Sequence, residues 1–174
     1  MPEAGAAAGP VGRALERVSL WLAGFGGTVL GAITLLTVAS VTLRYLYGRP
    51  IPGDYELVSM GCAVAVFAFL PLCQMRRGNV AVDIFTQRAP AWAKGLLDAL
   101  GALVYLGFAV LLLVQMHAGM VDRIPDPETG RYGETTMVLG VPVWPAFLPI
   151  LVSLAVLCAT CAHGVVRGLR EARA

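Results

Sequence analysis

The chain has 174 residues, of which 57% are hydrophobic and 14% charged. That composition fits one membrane bundle and leaves no room for a separate soluble domain. The net charge of +2 says little by itself. No phosphate loop, nucleotide motif or nucleophile–base pair appears, so neither enzyme chemistry nor a nucleic-acid partner is expected.

Four stretches carry no Asp, Glu, Lys or Arg: residues 18–43, 57–75, 99–121 and 135–166. They run to about 26, 19, 23 and 32 residues, each enough to cross ~30 Å of hydrocarbon at ~1.5 Å per helical residue. Backbone in lipid must satisfy its own hydrogen bonds, so each predicts a helix. The expected fold class is an all-α integral membrane protein with four transmembrane helices. A short interfacial amphipathic segment is expected between helices two and three, and both termini are expected in the cytoplasm. Residues 1–17 are expected as a disordered cytoplasmic N-terminus, 18–166 as the membrane domain and 167–174 as a basic cytoplasmic tail. The first apolar run is too long for the core of a cleaved signal peptide and should persist as a helix.

Orientation follows from the basic residues. Arg13, Arg17, Arg76, Arg77, Arg88, Lys94, Arg167, Arg170 and Arg173 fall in the N-terminus, middle loop and tail, whereas only Arg44, Arg49, Arg123 and Arg131 fall in the other two loops. The positive-inside rule then places the former group in the cytoplasm. Asp54, Glu56, Asp122, Asp126, Glu128 and Glu134 all fall outside.

In helix one, Gly27 and Gly31 have the small-xxx-small spacing that lets helices approach closely, either toward a partner or within the chain's own bundle. Tyr45 and Tyr47 stand where an aromatic belt belongs. Helix two starts at Asp54-Tyr55-Glu56 and ends at Arg76-Arg77. Both ends suit the helix dipole, which is a complete structural account of Glu56. In the middle segment Val80, Val82, Ile84 and Phe85 alternate with Asn79, Asp83, Gln87 and Arg88. This predicts a short amphipathic piece on the lipid surface. Pro90 is expected to open helix three, with Trp92 and Lys94 at interface depth and Asp98 one turn beyond Lys94. Helix four is expected to begin at Pro142, with Pro145 in its first turn and Pro149 deeper, removing a bond to the carbonyl of Pro145 and kinking the helix.

The two histidines invite a bis-histidine haem reading, which geometry opposes. His117 lies near the outer end of helix three and His163 near the inner end of helix four, more than ~20 Å apart along the membrane normal. In Cys158-Ala159-Thr160-Cys161-Ala162-His163, Ala162 breaks the haem-attachment pattern, and small residues packing a helix face explain it. Cys62 and Cys73 likewise lie in apolar runs as small hydrophobes. No cofactor and no metal is expected. No Asp, Glu, Lys or Arg lies at mid-depth, where the polar groups are a few Thr and Ser such as Thr34, Thr37 and Ser153. Solute-moving proteins usually place charge or broken helices there. A membrane accessory or scaffold subunit is the reading left.

The order of these features resembles the small membrane subunit, Q-type or DctQ-like, of tripartite ATP-independent periplasmic (TRAP) transporters. The resemblance runs over residues 20–166. It rests on Met75-Arg76-Arg77-Gly78-Asn79-Val80-Ala81-Val82-Asp83-Ile84-Phe85, on Tyr55-Glu56-Leu57, and on Leu139-Gly140-Val141-Pro142-Val143-Trp144 with a further Pro149. The chain departs from the family where a Trp and a second acidic residue often open helix two. The resemblance implies a large multi-helix (M-type) subunit that binds substrate and a cation and moves like an elevator. It also implies a periplasmic binding protein delivering an organic acid anion such as a C4-dicarboxylate or a sialic acid. The small subunit would widen the stationary scaffold. Gly27, Gly31, Glu56, Arg76, Arg77, Asp83, Trp92, Pro142 and Pro149 are the expected interface or anchoring residues. The small subunit of a tricarboxylate transporter has a similar outline. A haem- or quinone-linked anchor and a small multidrug exporter are the other rivals; the exporter class needs a membrane-embedded acid, which is absent here.

Overall fold

In the computed structural model, residues 9–76, 91–125 and 133–173 are described. They form four long helices: α1 (Pro10–Tyr47), α2 (Asp54–Met75), α3 (Ala91–Arg123) and α4 (Phe147–Arg173), the last preceded by a 3-10 turn, Trp144–Ala146. All four contain a stretch long and apolar enough to cross a membrane. Arg77 and Asp83, with the expected amphipathic segment around them, lie outside the described residues.

Helix α1 starts at Pro10, earlier than the charge-free run, so residues 10–17 are helical. Proline suits a first helical position because that amide has no intrahelical acceptor. The helix stops where Gly48 turns left-handed at φ 70 and its N–H donates to the Arg44 carbonyl at 3.0 Å. Gly53, also left-handed at φ 73, resets the chain for α2. Asp54 and Glu56 occupy the first turn of α2, facing the positive end of its dipole.

Helices α1 and α2 pack along a seven-residue ladder. The buried residues of α1 are Gly12, Ser19, Gly26, Ile33 and Ser40. Ser40 donates to the Asp54 carboxylate. One heptad on, Ile33 fills the space over Gly61, and one further, Gly26 lies against Ala68 and Ala65. The antiparallel register then sets Ser19 level with Met75, and both are buried. A repeat of seven keeps one seam facing its neighbour along the whole pair. In lipid there is little hydrophobic gain between helices, so close van der Waals approach through small residues must hold them.

Helix α4 is the centre of the bundle. Ile150, Leu154, Leu157 and Cys161 are buried with Val64 of α2 and Ala109 of α3. α3 packs chiefly on α4, α4 also packs on α2, and α2 on α1. The helices thus stand in the order α1, α2, α4, α3, with α1 and α3 at the flanks.

One expectation for the fourth run is corrected. Pro142 does not open the helix. It pairs with Thr135 across a tight turn, while Gly140 adopts φ 65. Backbone hydrogen bonds inside that turn outcompete an early helical start. The α-helix begins only at Phe147, so Pro149 is its third residue. The helix follows directly on the 3-10 turn that contains Pro145. The proline inside a helix is Pro71 of α2, which is buried. It deletes the amide that would bond to the Phe67 carbonyl.

Candidate partner interface

The close approach within the chain falls one residue away from Gly27. A Cβ placed on Gly26 would lie 2.9 Å from the Ala68 Cβ and 3.3 Å from the Ala65 carbonyl. The same atom on Gly24, Gly27 or Gly31 would meet nothing within 4 Å. Gly27 and Gly31 therefore do not serve the chain's own packing. They lie on an uncovered flank of α1 with Trp21, Phe25, Leu35 and Val38, all exposed. Leu20, Trp21, Gly24, Phe25 and Thr28 line a shallow groove there. Thr28, Thr34 and Thr42 each donate to the carbonyl four residues back, at 2.9, 2.8 and 2.8 Å. Those bonds leave this flank without unpaired hydroxyl donors, as contact with lipid or an apolar partner requires.

The seam residue Gly26 was not singled out by the sequence reading. The signal was present in the seven-residue recurrence of small residues at 12, 19, 26 and 40, with Ile33 between them. The adjacent glycine spacing of 27 and 31 obscured it.

The polar groups collect at the bundle ends. At one end, three attachments join all four helices. Ser40 bridges Asp54 and the Ile51 amide, which donates to its Oγ at 3.2 Å. Glu56 reaches across to the turn before α4, where the amides of Val138 and Leu139 donate to its two carboxylate oxygens at 2.9 and 3.3 Å. Leu139 itself covers Gly53, where a Cβ would lie 2.3 Å from Leu139 Cγ. Arg123 closes α3, pairing with Glu134. It also donates to the Gly119 carbonyl at 2.9 Å and stands 5.2 Å over the Phe147 ring. Glu56 is thus more than a dipole partner for its own helix. It fixes a turn 82 residues away in the chain.

The other expected residues are spread out. Arg76 is the exposed C-cap of α2 and its amide donates to the Leu72 carbonyl at 3.0 Å. Trp92 lies in the first turn of α3. Pro142 belongs to the turn that Glu56 holds, and Pro149 to the first turn of α4. The Glu56 attachment brings Pro142 toward the start of α2. No observed contact gathers Gly27, Gly31 and Arg76. Among the described residues, no group of three or more His, Cys, Asp or Glu side chains is placed to hold a metal ion.

Four helices long and apolar enough to span a membrane, with charges toward their ends, mark a multi-pass membrane protein. Comparison with known proteins gives the particular family. The family described as "Tripartite ATP-independent periplasmic transporters, DctQ component" matches residues 33–171, and the chain belongs to it. The C4-dicarboxylate TRAP transporter small permease protein DctQ of Vibrio cholerae serotype O1 is 30% identical over 109 residues. That alignment covers 60% of this chain and 44% of the relative, so the chain spans less than half of that protein's length. No solved structure matches.

Proposed function

We propose that this chain is the stationary small subunit of a TRAP transporter of the bacterial inner membrane. In this reading it works beside a large M-type permease subunit and a periplasmic binding protein. The system takes up an organic acid anion, such as a C4-dicarboxylate, with cation coupling. The family match carries the reading. Spans with no Asp, Glu, Lys or Arg at mid-depth favour a supporting role, because a carboxylate substrate and its cation need polar partners inside the bilayer. The basic residues orient both termini to the cytoplasm. The Ser40, Glu56 and Arg123 attachments then face the periplasm, where a delivery protein arrives.

Within this reading the uncovered α1 flank around Gly27 and Gly31 meets the large subunit. Small residues there admit a second helix at close range. Rigidity is the contribution asked of this chain. An elevator's moving part needs a fixed reference, and additional helices tied at one end resist tilting. The test is affinity purification of the tagged chain from its native membrane in mild detergent, with uptake measured after its deletion. Co-purification of a large membrane protein and loss of organic-acid uptake are expected. Emergence of the chain alone, with uptake intact in the deletion strain, refutes the proposal.

A further inference from the structure

The fourth charge-free run is longer than a crossing requires, and the helix explains only part of it. Phe147 to Arg167 covers ~30 Å of rise, which already spans the hydrocarbon. The apolar residues before it, Met137, Val138, Leu139, Val141 and Val143, therefore lie beyond the span yet carry no charge among them. Their depth is set by α2. Glu56 directly precedes the charge-free run of that helix, so it sits at the hydrocarbon boundary. Its bonds to the Val138 and Leu139 amides hold the tip of the turn at the same level.

Two further observations concern what surrounds that tip. Met137 is 100% exposed and Val138 63% exposed, so the protein does not cover them. Several backbone amides of the turn are nonetheless paired internally. Thr136 donates to the Val141 carbonyl, Gly140 to the Thr136 carbonyl and Val143 to the Glu134 carbonyl. Val141 donates to the Thr136 hydroxyl at 3.0 Å, and Pro142 has no amide to satisfy. Non-helical backbone near hydrocarbon requires pairing of this kind.

We propose that this turn is a lipid anchor, with Met137 and Val138 inserted at the acyl–headgroup boundary of the leaflet on the Glu56 side. A protein occupant is disfavoured because a protein interface carries about one hydrogen bond per 100–200 Å², and the Met137–Val138 side chains offer none. Tyr45, Tyr47 and Tyr55, all strongly exposed at the same end, mark the level of a membrane interface. The inference rests on the membrane placement of α2 and α4 and not on the identity of any transport partner.

The test uses the unmutated chain. Photo-methionine is incorporated in the producing cells, native membranes are irradiated with all partner proteins present, and peptides are mapped by mass spectrometry. Phospholipid adducts are expected on Met137. Buried Met75 serves as the internal reference and should carry none. Water adducts in place of lipid on Met137 would overturn the proposal by showing an aqueous turn. Crosslinks from Met137 chiefly to another polypeptide would overturn it in favour of a protein occupant. Either outcome leaves the proposed transporter membership standing, because that reading is tested by co-purification.

Discussion

Exchanging Gly26 for valine should unseat α1 from α2, while the same exchange at Gly27 should leave the isolated chain folded. At Gly26 the first added carbon already lies 2.9 Å from the Ala68 Cβ and 3.3 Å from the Ala65 carbonyl. Carbon atoms pack optimally at about 3.5–4.0 Å, so the two helices must part by roughly 0.5–1 Å, forfeiting a quarter to a half of each contact energy along the seam. Backbone atoms cannot rotate away as the end of a long side chain can. Overpacking of this kind costs about 1–3 kcal/mol. The folding equilibrium should therefore fall by roughly 5–150-fold. Gly27 has open space on its Cβ side, with nothing within 4 Å of an added Cβ, so valine there has room. Steric trapping of the purified chain in bicelles, with biotin tags on α1 and α2, measures the pair's dissociation free energy directly. Equal stabilities for the Gly26→Val and Gly27→Val chains would refute the assignment of Gly26 to the seam. Under the proposed function, Gly27→Val and Gly31→Val should weaken co-purification of the large subunit while sparing this stability.

Glu56→Gln replaces one of two acceptor oxygens with a donor facing amides, so the Val138 and Leu139 amides should exchange faster with deuterium; unchanged protection would contradict their bonding to Glu56. Leu154→Ala empties a site of 0% exposure in the central helix and should cost about 2 kcal/mol, below the value for a water-soluble core because the separated helices remain in lipid. Thermal unfolding followed by tryptophan emission reads that loss. Arg123→Gln removes the Glu134 pairing, which joins two partly exposed groups, and should cost only about 0.2–1 kcal/mol, with the effect shrinking in high salt.

Much of the architecture was readable before any coordinates. Charge-free length alone locates four crossings, because lipid penalises an unpaired charge or backbone group more than any local propensity can offset. The boundaries were harder to read. Gly140-Val141-Pro142 marks a break, but nothing in residues 142–146 distinguishes the end of an apolar turn from the first turn of an apolar helix. The decision is made by Glu56, which lies far away in the chain and supplies acceptors for the turn's amides. A helix dipole explains a first-turn Glu equally well from sequence, so the long-range role left no local trace. Gly27 and Gly31 illustrate a second limit. Their spacing indicates that some helix can come close, but the facing direction is set by the register of α1 on α2. That register is fixed by the Ser40–Asp54 contact and by the seven-residue seam.

The order of the helices in space has a bearing on how the protein is made. α1 and α2 are consecutive and can zip together as a hairpin as soon as both have left the ribosome and entered the bilayer. α3 emerges next and finds no such companion, because its main packing surface is on α4. Until the final segment is translated, α3 stands alone in lipid. The last helix therefore does two jobs on arrival, docking on the waiting hairpin and capturing the stray third helix, so a ribosome stalled just short of Phe147 would leave two unjoined halves.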